Sequence, residues 1–177
     1  MCDAGGHLKY SLPSPPLPFP IRNLAPGELD CDRDPHYVRT VLGSCVAVCL
    51  WDRQLHFGGM NHFVLPTRTA NDEYSFRFGD VAVPALIERM INFGSSLECL
   101  QAKVFGGANI LYPRSSIGQR NVELAIDELN RYQIPVVASR LLGTNGLVIR
   151  QCTSNGDILV RTIRNSANSL PSYKDTG

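Results

Sequence analysis

The sequence lacks the charge and the apolar runs that several classes of protein require. Its 17 Lys and Arg residues nearly balance 16 Asp and Glu residues, which gives a formal net charge of +1. Such a chain offers no strong electrostatic field for nucleic acid or a membrane surface. It also shows no apolar run near the roughly 20 residues of a membrane span, and no basic segment leading into an apolar one at its N-terminus. We therefore expect a cytoplasmic protein with no nucleic-acid partner and no direct membrane insertion.

Common cofactor and nucleophile motifs are absent from the sequence too. It contains no GxxxxGK(S/T) for phosphates, no GxGxxG after a strand, no HExxH and no GxSxG. Its 6 cysteines include no CxxC pair, and 177 residues can form a core without disulfides. We expect free thiols and no cofactor.

Proline content separates the start of the chain from the rest. Residues 1–20 end in SLPSPPLPFP, a composition that favours an extended arm over a packed element. We predict a disordered tail over residues 1–20, a domain over residues 21–163 and a flexible tail over residues 164–177.

The apolar pattern of the central region predicts an α+β fold. Helical spacing indicates helices over residues 79–93 and 117–132, whereas short β-prone runs precede, separate and follow them. Asn155-Gly156 is the strongest hairpin signal in the chain. The order of elements predicts a single compact layered domain, in which mixed β-sheets pack with two main helices.

The stretch from residue 40 to 66 carries the most promising chemistry. Gly43-Ser44 predicts a tight bend that displays Cys45 before an apolar strand, and His62 follows 17 positions later on the next strand. Strands joined by a short connection lie side by side, so the two side chains could meet. An adjacent imidazole would convert a thiol with a pKa of about 8.5 into a nucleophilic thiolate.

Two other interpretations of these residues stay open on spacing alone. A free Cys and a lone His on an apolar strand are also typical of a protein core. A metal could be imagined between Cys45, Cys49 and His62, but zinc sites use close Cys pairs and a fourth ligand. We therefore expect no metal and assign Cys49 to the core.

Four segments of the chain resemble the CheD family, the chemoreceptor glutamine deamidases of bacterial and archaeal chemotaxis. They are LGSCVAVCL, GGMNHFVLP, the KVFGGAN run at residues 103–109 and IGQRN at residues 117–121, and they occur in the family's order. The resemblance spans residues 21–163 and implies a protein-glutamine glutaminase with a CheD-like fold. It implies Cys45 as nucleophile and His62 as base.

That resemblance also implies a mechanism and partners. Cys45 would attack a glutamine side-chain amide on the cytoplasmic part of a chemoreceptor, and water would resolve the thioester to glutamate. The N–H groups at the Ser44-Cys45 bend, helped by Asn61 or by Gly106 and Gly107, would stabilise the oxyanion. A CheC-type phosphatase that competes for the same surface is a further implied partner.

The sequence departs from the family pattern at the residue that orients the histidine. The pattern has a threonine six residues before the nucleophile, where this chain has Arg39, and Thr40 is one place later. One place reverses the face on a regular strand. We therefore expect Thr40 to orient His62 only if a bulge resets the register, and otherwise a backbone carbonyl or another hydroxyl to do so.

Two alternatives to a deamidase remain at this stage. A CheD-like module could dock to chemoreceptors or to a CheC-type phosphatase without chemistry. A cysteine protease or transferase could use the same dyad on a different acyl group, because the acyl-enzyme step is common to all three reactions.

Overall fold

The computed structural model describes residues 18–109 and 117–163. The predicted C-terminal tail lies outside the described residues, and so does the predicted N-terminal tail except for its last three residues. No helix in the described part of the chain is long and apolar enough to cross a membrane.

The described residues form nine strands, two α-helices and a 3-10 turn at Leu97–Cys99. The strands are β1 (Ile21–Asn23), β2 (Glu28–Asp32), β3 (Tyr37–Leu42), β4 (Val46–Asp52), β5 (Phe57–His62), β6 (Leu100–Gly106), β7 (Val136–Leu141), β8 (Gly146–Cys152) and β9 (Ile158–Ile163). The helices are α1 (Gly79–Asn92) and α2 (Ile117–Arg131). The predicted α+β class with two main helices is confirmed.

The strands form two mixed sheets. The five-stranded sheet has the order β2-β5-β4-β6-β7, and only its β6–β7 pair is parallel. The four-stranded sheet has the order β1-β3-β8-β9, and only its β1–β3 pair is parallel. The β8–β9 pair is the antiparallel hairpin that Asn155-Gly156 predicted.

Strand β4 shows how the layers are stacked, because it is apolar on both faces. Val48 belongs to a core cluster with residues of both helices, whereas Cys49 belongs to a second cluster with residues of the four-stranded sheet. Side chains alternate between the two faces of a strand. The helices therefore cover one face of the five-stranded sheet, and the four-stranded sheet covers the other.

Both helices lie on the sheet through an apolar stripe. In α1, Ala82, Leu86 and Met90 follow one another at four-residue spacing and are all fully buried. The helix ends before Gly94, whose positive φ of 97° suits the chain reversal there. This packing fixes the sheet beneath the helices and with it the strand ends that carry the site.

Candidate active site

Cys45 directly precedes β4 and His62 is the last residue of β5, so the two residues lie at the same end of this strand pair. Strand β4 pairs antiparallel with β5 up to Cys49 and Met60, and beyond an interruption an isolated bridge joins Val46 to Phe63 in the same register. This register places Cys45 and His62 diagonally across the two strands, and no hydrogen bond joins the Cys45 thiol to His62 Nε2 in the described residues. The strands that carry the two side chains lie side by side, as predicted.

Cys45 lies on the bend at residues 43–45, and the scaffold holds all three carbonyl groups of that bend. The donors are Ala108 N–H to Gly43 O at 2.8 Å, Asn121 Nδ2 to Ser44 O at 3.0 Å and Gly107 N–H to Cys45 O at 2.9 Å. Three separate bonds therefore fix the orientation of the peptide groups around Cys45.

The amide groups of the same bend, unlike its carbonyl groups, are not held by backbone hydrogen bonds. The N–H groups of Ser44 and Cys45 donate to no other backbone group among residues 18–109 and 117–163. A hydrogen bond from the Cys45 backbone also opposes part of the rise in the pKa of the Cys45 thiol. Backbone N–H groups without a backbone acceptor are what an oxyanion hole requires.

Gly106 and Gly107 support the bend rather than offering free donors. A Cβ on Gly106 would lie 2.1 Å from Cys45 O, and its φ of 111° is one that L side chains rarely adopt. The N–H of Gly107 is already bonded to Cys45 O. The glycine pair therefore lets β6 approach the nucleophile closely, and the Gly107 amide does not serve as the predicted oxyanion donor.

The histidine is held by Thr40. Thr40 Oγ1 lies 2.8 Å from His62 Nδ1 and donates to Leu24 O, also at 2.8 Å. Thr40 is buried between the sheets and His62 is 1% exposed. A hydroxyl has one proton to donate and a carbonyl can only accept, so His62 Nδ1 carries the proton of this contact and Nε2 carries the lone pair.

The expectation that Thr40 needs a bulge is wrong. Strand β3 pairs with β8 in an unbroken register from Tyr37 to Leu42. Within it Val38, Thr40 and Leu42 are buried while Val41 is exposed. Regular alternation along β3 points Thr40 inward. Counting the alternating faces back from Cys45 gives the opposite face, because the bend after Leu42 interrupts the alternation.

Burial sets the charge state of both members of the dyad. It lowers the pKa of His62 to about 4, although the carbonyl of Leu24 and the charge of Glu28 oppose this shift. Burial also raises the pKa of the Cys45 thiol. Desolvation disfavours a charge on either group, so both shifts favour a thiol and a neutral imidazole over the thiolate that the sequence-based interpretation expects.

The lone pair of His62 is free in this resting state. Nε2 is buried and has no hydrogen-bond partner in the described part of the chain. A buried, unpartnered nitrogen costs free energy. An acceptor of this kind beside a thiol can take the thiol proton when the sulfur attacks an electrophile.

Asn61 has a structural role, and the prediction that it helps to bind the oxyanion is wrong. Its Oδ1 accepts from Val48 N–H at 2.9 Å, and its Nδ2 donates to Ala82 O at 3.0 Å. Being next to His62 on a regular strand, it points to the opposite face. Asn61 therefore ties the five-stranded sheet to α1.

Asn121 is a residue of the site that the sequence did not single out beyond its place in IGQRN. It is fully buried near the start of α2, and its Nδ2 donates both to Ser44 O at 3.0 Å and to Val64 O at 2.8 Å. It thus joins the bend of the nucleophile to the segment that follows His62. No local pattern marks such a contact, because its partners are 57 and 77 positions away in the sequence.

Cys49 is a core residue. It is 2% exposed and packs between the two sheets with Met60. In the part of the chain that the structure describes, no group of three His, Cys, Asp or Glu side chains has a geometry that could hold a metal ion. The five cysteines in that part are free thiols.

Comparison with known proteins decides the family. The family model for CheD chemotactic sensory transduction matches residues 64–162. A protein of Rhodospirillum rubrum, named as a probable chemoreceptor glutamine deamidase CheD, is 48% identical over 156 residues, which cover 86% of this chain and 86% of that protein. The chain belongs to the CheD family.

Other CheD relatives support the same assignment. Proteins with the same printed name from Trichlorobacter lovleyi and, as CheD 1, from Shewanella oneidensis are 44% and 40% identical. The matches cover 80% and 82% of this chain and 91% and 74% of those relatives. The sequence-based resemblance to the CheD family is confirmed.

Proposed function

We propose that this chain is a chemoreceptor glutamine deamidase that hydrolyses glutamine side-chain amides to glutamate through a Cys45 thioester. The observation that carries this proposal is the free Nε2 of His62, fixed by Thr40 on the same sheet face as Cys45. The names of the relatives supply the substrate class.

In the first half-reaction, Cys45 Sγ attacks the carboxamide carbon while its proton passes to His62 Nε2. The amide C=O becomes an oxyanion, which the N–H groups of Ser44 and Cys45 stabilise; such donors are each worth about 3–4 kcal/mol of the barrier. The C–N bond then breaks, and the leaving nitrogen takes the proton from Nε2 and departs as ammonia. A thioester on Cys45 remains.

In the second half-reaction, water attacks the thioester carbon and His62 Nε2 accepts its proton. The C–S bond breaks, the sulfur recovers a proton and glutamate is released. Throughout, Thr40 keeps Nδ1 protonated, so that Nε2 is the nitrogen that moves protons. Neutral resting groups suit this cycle, because the proton moves as the bonds to carbon form and break.

The partner of this reaction is the cytoplasmic part of a chemoreceptor, and the reaction takes place in the cytoplasm. A CheC-type phosphatase as a competing partner rests on the family resemblance alone. Its test is whether such a protein lowers the rate of deamidation in proportion to its occupancy of the enzyme.

A docking module without chemistry is the alternative, and the raised pKa of the Cys45 thiol is the observation in its favour. Intact-mass analysis of receptor fragments incubated with the protein separates the two functions. Deamidation adds about one mass unit per glutamine, because an amide becomes an acid. We expect this gain with the wild type and not with Cys45→Ser, which keeps the shape of the site. A wild type that binds the fragments and leaves their mass unchanged would support the docking module.

A further inference from the structure

The outer face of the four-stranded sheet has an unusual composition. Strands β3, β8 and β9 contain no Asp, Glu or Lys, and their three charged residues are Arg39, Arg150 and Arg161. We call this surface the arginine face. Arg39 and Arg150 alternate with buried residues, and Arg161 is exposed between two half-buried ones, so all three point away from the core.

Aliphatic side chains lie between these arginines on the same face. Val41, Leu159 and Ile163 are 50%, 60% and 37% exposed. A depression of about 230 Å³ is lined by the three arginines together with Val148, Ile149 and Leu159. Exposed aliphatic groups with Arg and without Lys, Glu or Asp match the composition of protein interfaces better than that of ordinary surface.

The pairing of the strands adds an energetic argument. Arg39 is directly opposite Arg150 across the β3–β8 pair, and like charges in such positions destabilise a sheet. Among the described residues none of the three arginines forms an ion pair. No carboxylate of the described residues neutralises this charge, so the arginines are free to pair with carboxylates of another molecule.

Neighbouring groups hold two of the three guanidinium groups in place. Arg150 stacks over the ring of Tyr37 at 5.1 Å, and Arg39 Nη1 donates to Asn23 Oδ1 at 3.3 Å. Adjacent strands are about 4.8 Å apart, so arginines on three adjacent strands span about 10 Å. Carboxylates on successive turns of a helix repeat every 5.4 Å or so, which matches this spacing for a helix that crosses the strands.

We propose that the arginine face docks an acidic amphipathic helix of the substrate protein. This inference rests on the proposed function, since each turnover converts a neutral amide into a carboxylate. The face and the site share β3, whose Arg39 points outward and whose Thr40 points to His62. A substrate that has already been deamidated should thus bind more tightly than one that has not.

The test measures binding without turnover, in a Cys45→Ser background. The probes are a chemoreceptor cytoplasmic fragment with its modifiable positions all Gln and the same fragment with those positions all Glu. Arg39, Arg150 and Arg161 are replaced together by Gln, and the matched control replaces Arg53, Arg89 and Arg131, which are exposed on the helices and on the β4–β5 turn. Both triple variants change the net charge equally.

We expect the wild-type face to bind the all-Glu fragment more tightly than the all-Gln fragment. Exposed ion pairs contribute up to about 1 kcal/mol each, so the face variant should weaken all-Glu binding about 10- to 100-fold, and the control less than about threefold. Salt should weaken wild-type binding more steeply than that of the face variant. A triple Arg→Lys variant, which keeps the charge and loses the planar fork, should fall between the two.

Several results would overturn the docking proposal. One is a wild type that binds the two fragments with equal affinity, together with a face variant whose affinities are the same as those of the wild type. Another is loss of binding to phosphatidylglycerol vesicles, rather than to the fragments, in the face variant, which would assign the face to a membrane surface. A third is a wild-type dimer that the face variant converts to a monomer, which would assign it to a second copy of the chain.

The proposed function can fail separately. In that case the wild type binds the all-Glu fragment through its arginines, yet intact-mass analysis detects no deamidation of the all-Gln fragment. The converse result, full deamidation by the face variant with an unchanged KM, would remove the docking proposal and leave the enzyme.

Discussion

Thr40 Oγ1 accepts a hydrogen bond from Nδ1 of His62 over 2.8 Å while donating to the carbonyl of Leu24. This chain of two bonds selects the imidazole tautomer with a free Nε2. Because Thr40 belongs to the four-stranded sheet and His62 to the five-stranded sheet, the packing of the two sheets is itself a condition for this orientation of His62.

Thr40→Ala should lower turnover by about 10- to 10³-fold, since a misoriented imidazole is costly in catalysis. It should also lower stability by about 1–3 kcal/mol, because buried Nδ1 and the Leu24 carbonyl lose their partner. Thr40→Ser should retain most of the activity. Arg39→Thr combined with Thr40→Ala should not recover turnover, as residue 39 points away from His62. Steady-state kinetics and thermal melts test these three variants, and full activity in Thr40→Ala would place the orienting group elsewhere.

The pH profile of kcat/KM should be flat from about pH 5 to 8. Only the neutral imidazole is a base, and a pKa of about 4 for His62 places its protonation below this range. For the same reason Cys45 should react slowly with iodoacetamide at pH 6.5 and faster as the pH rises above 9, because its pKa is raised. An acid limb centred near pH 6.5 would show that His62 is not desolvated.

Folding stability should fall as the pH is lowered from 6.5 towards 4. In that window the imidazole of the unfolded chain, with a pKa near 6.5, binds a proton that His62 in the native protein, with a pKa of about 4, does not. In this window the free energy of unfolding therefore rises with pH by about 1.4 kcal/mol per pH unit. The protein should lose about 2 kcal/mol of stability between pH 7 and pH 5. Urea unfolding of the wild type and of His62→Gln at both pH values isolates this contribution. Identical pH slopes in the two proteins would count against it.

Gly106→Ala should inactivate the protein by displacing the bend of the nucleophile. The new Cβ would lie 2.1 Å from Cys45 O at a φ of 111°, so either the backbone of β6 or the bend must move. Gly143→Ala is the control, because its Cβ would meet no atom closer than 3.9 Å and its φ is not positive. We expect normal melting and mass-shift activity for Gly143→Ala. A fully active Gly106→Ala would mean that the bend tolerates displacement.

Local patterns in the sequence were sufficient for most of the elements and for the pairing of the strands next to Cys45 and His62. Apolar alternation located the strands except β1, the Gly-Ser pair located the bend, and the short connection between β4 and β5 predicted that they lie side by side. The same period of two assigns Asn61 to the face opposite His62, so that error could have been avoided from the sequence.

Other features of the site depend on contacts that no local pattern reports. The inward direction of Thr40 follows from alternation within β3, and counting back from Cys45 failed because the bend interrupts the strand. Desolvation of Cys45 and His62 requires the second sheet to cover them, and the spacing of residues in the sequence does not predict how the two sheets pack. The same holds for Asn121, whose partners Ser44 and Val64 lie far away in the sequence.

Asn121 can be tested for a role in positioning the bend at Cys45, as distinct from a role in stabilising the fold. Its amide donates to Ser44 O and Val64 O, so Asn121→Ala removes the two bonds that join the bend to the segment after His62. We expect kcat to fall by about 10- to 10²-fold with KM nearly unchanged, because a small displacement of the nucleophile is costly in the transition state. Asn121→Asp should be worse, since its carboxylate would face two carbonyl oxygens and cannot donate to either.

Asn61→Ala is the matched control for this prediction. Asn61 is also a fully buried asparagine with two bonds, but these join β4 to α1 on the face opposite His62. We expect Asn61→Ala to lower the unfolding free energy by about 1–3 kcal/mol and to leave the kcat of the folded protein close to that of the wild type. Measuring kcat well below the melting temperature of both variants separates the two roles. If both lost stability alone, Asn121 would be a second structural tie, and the bend of the nucleophile would be held by its contacts with Gly107 and Ala108.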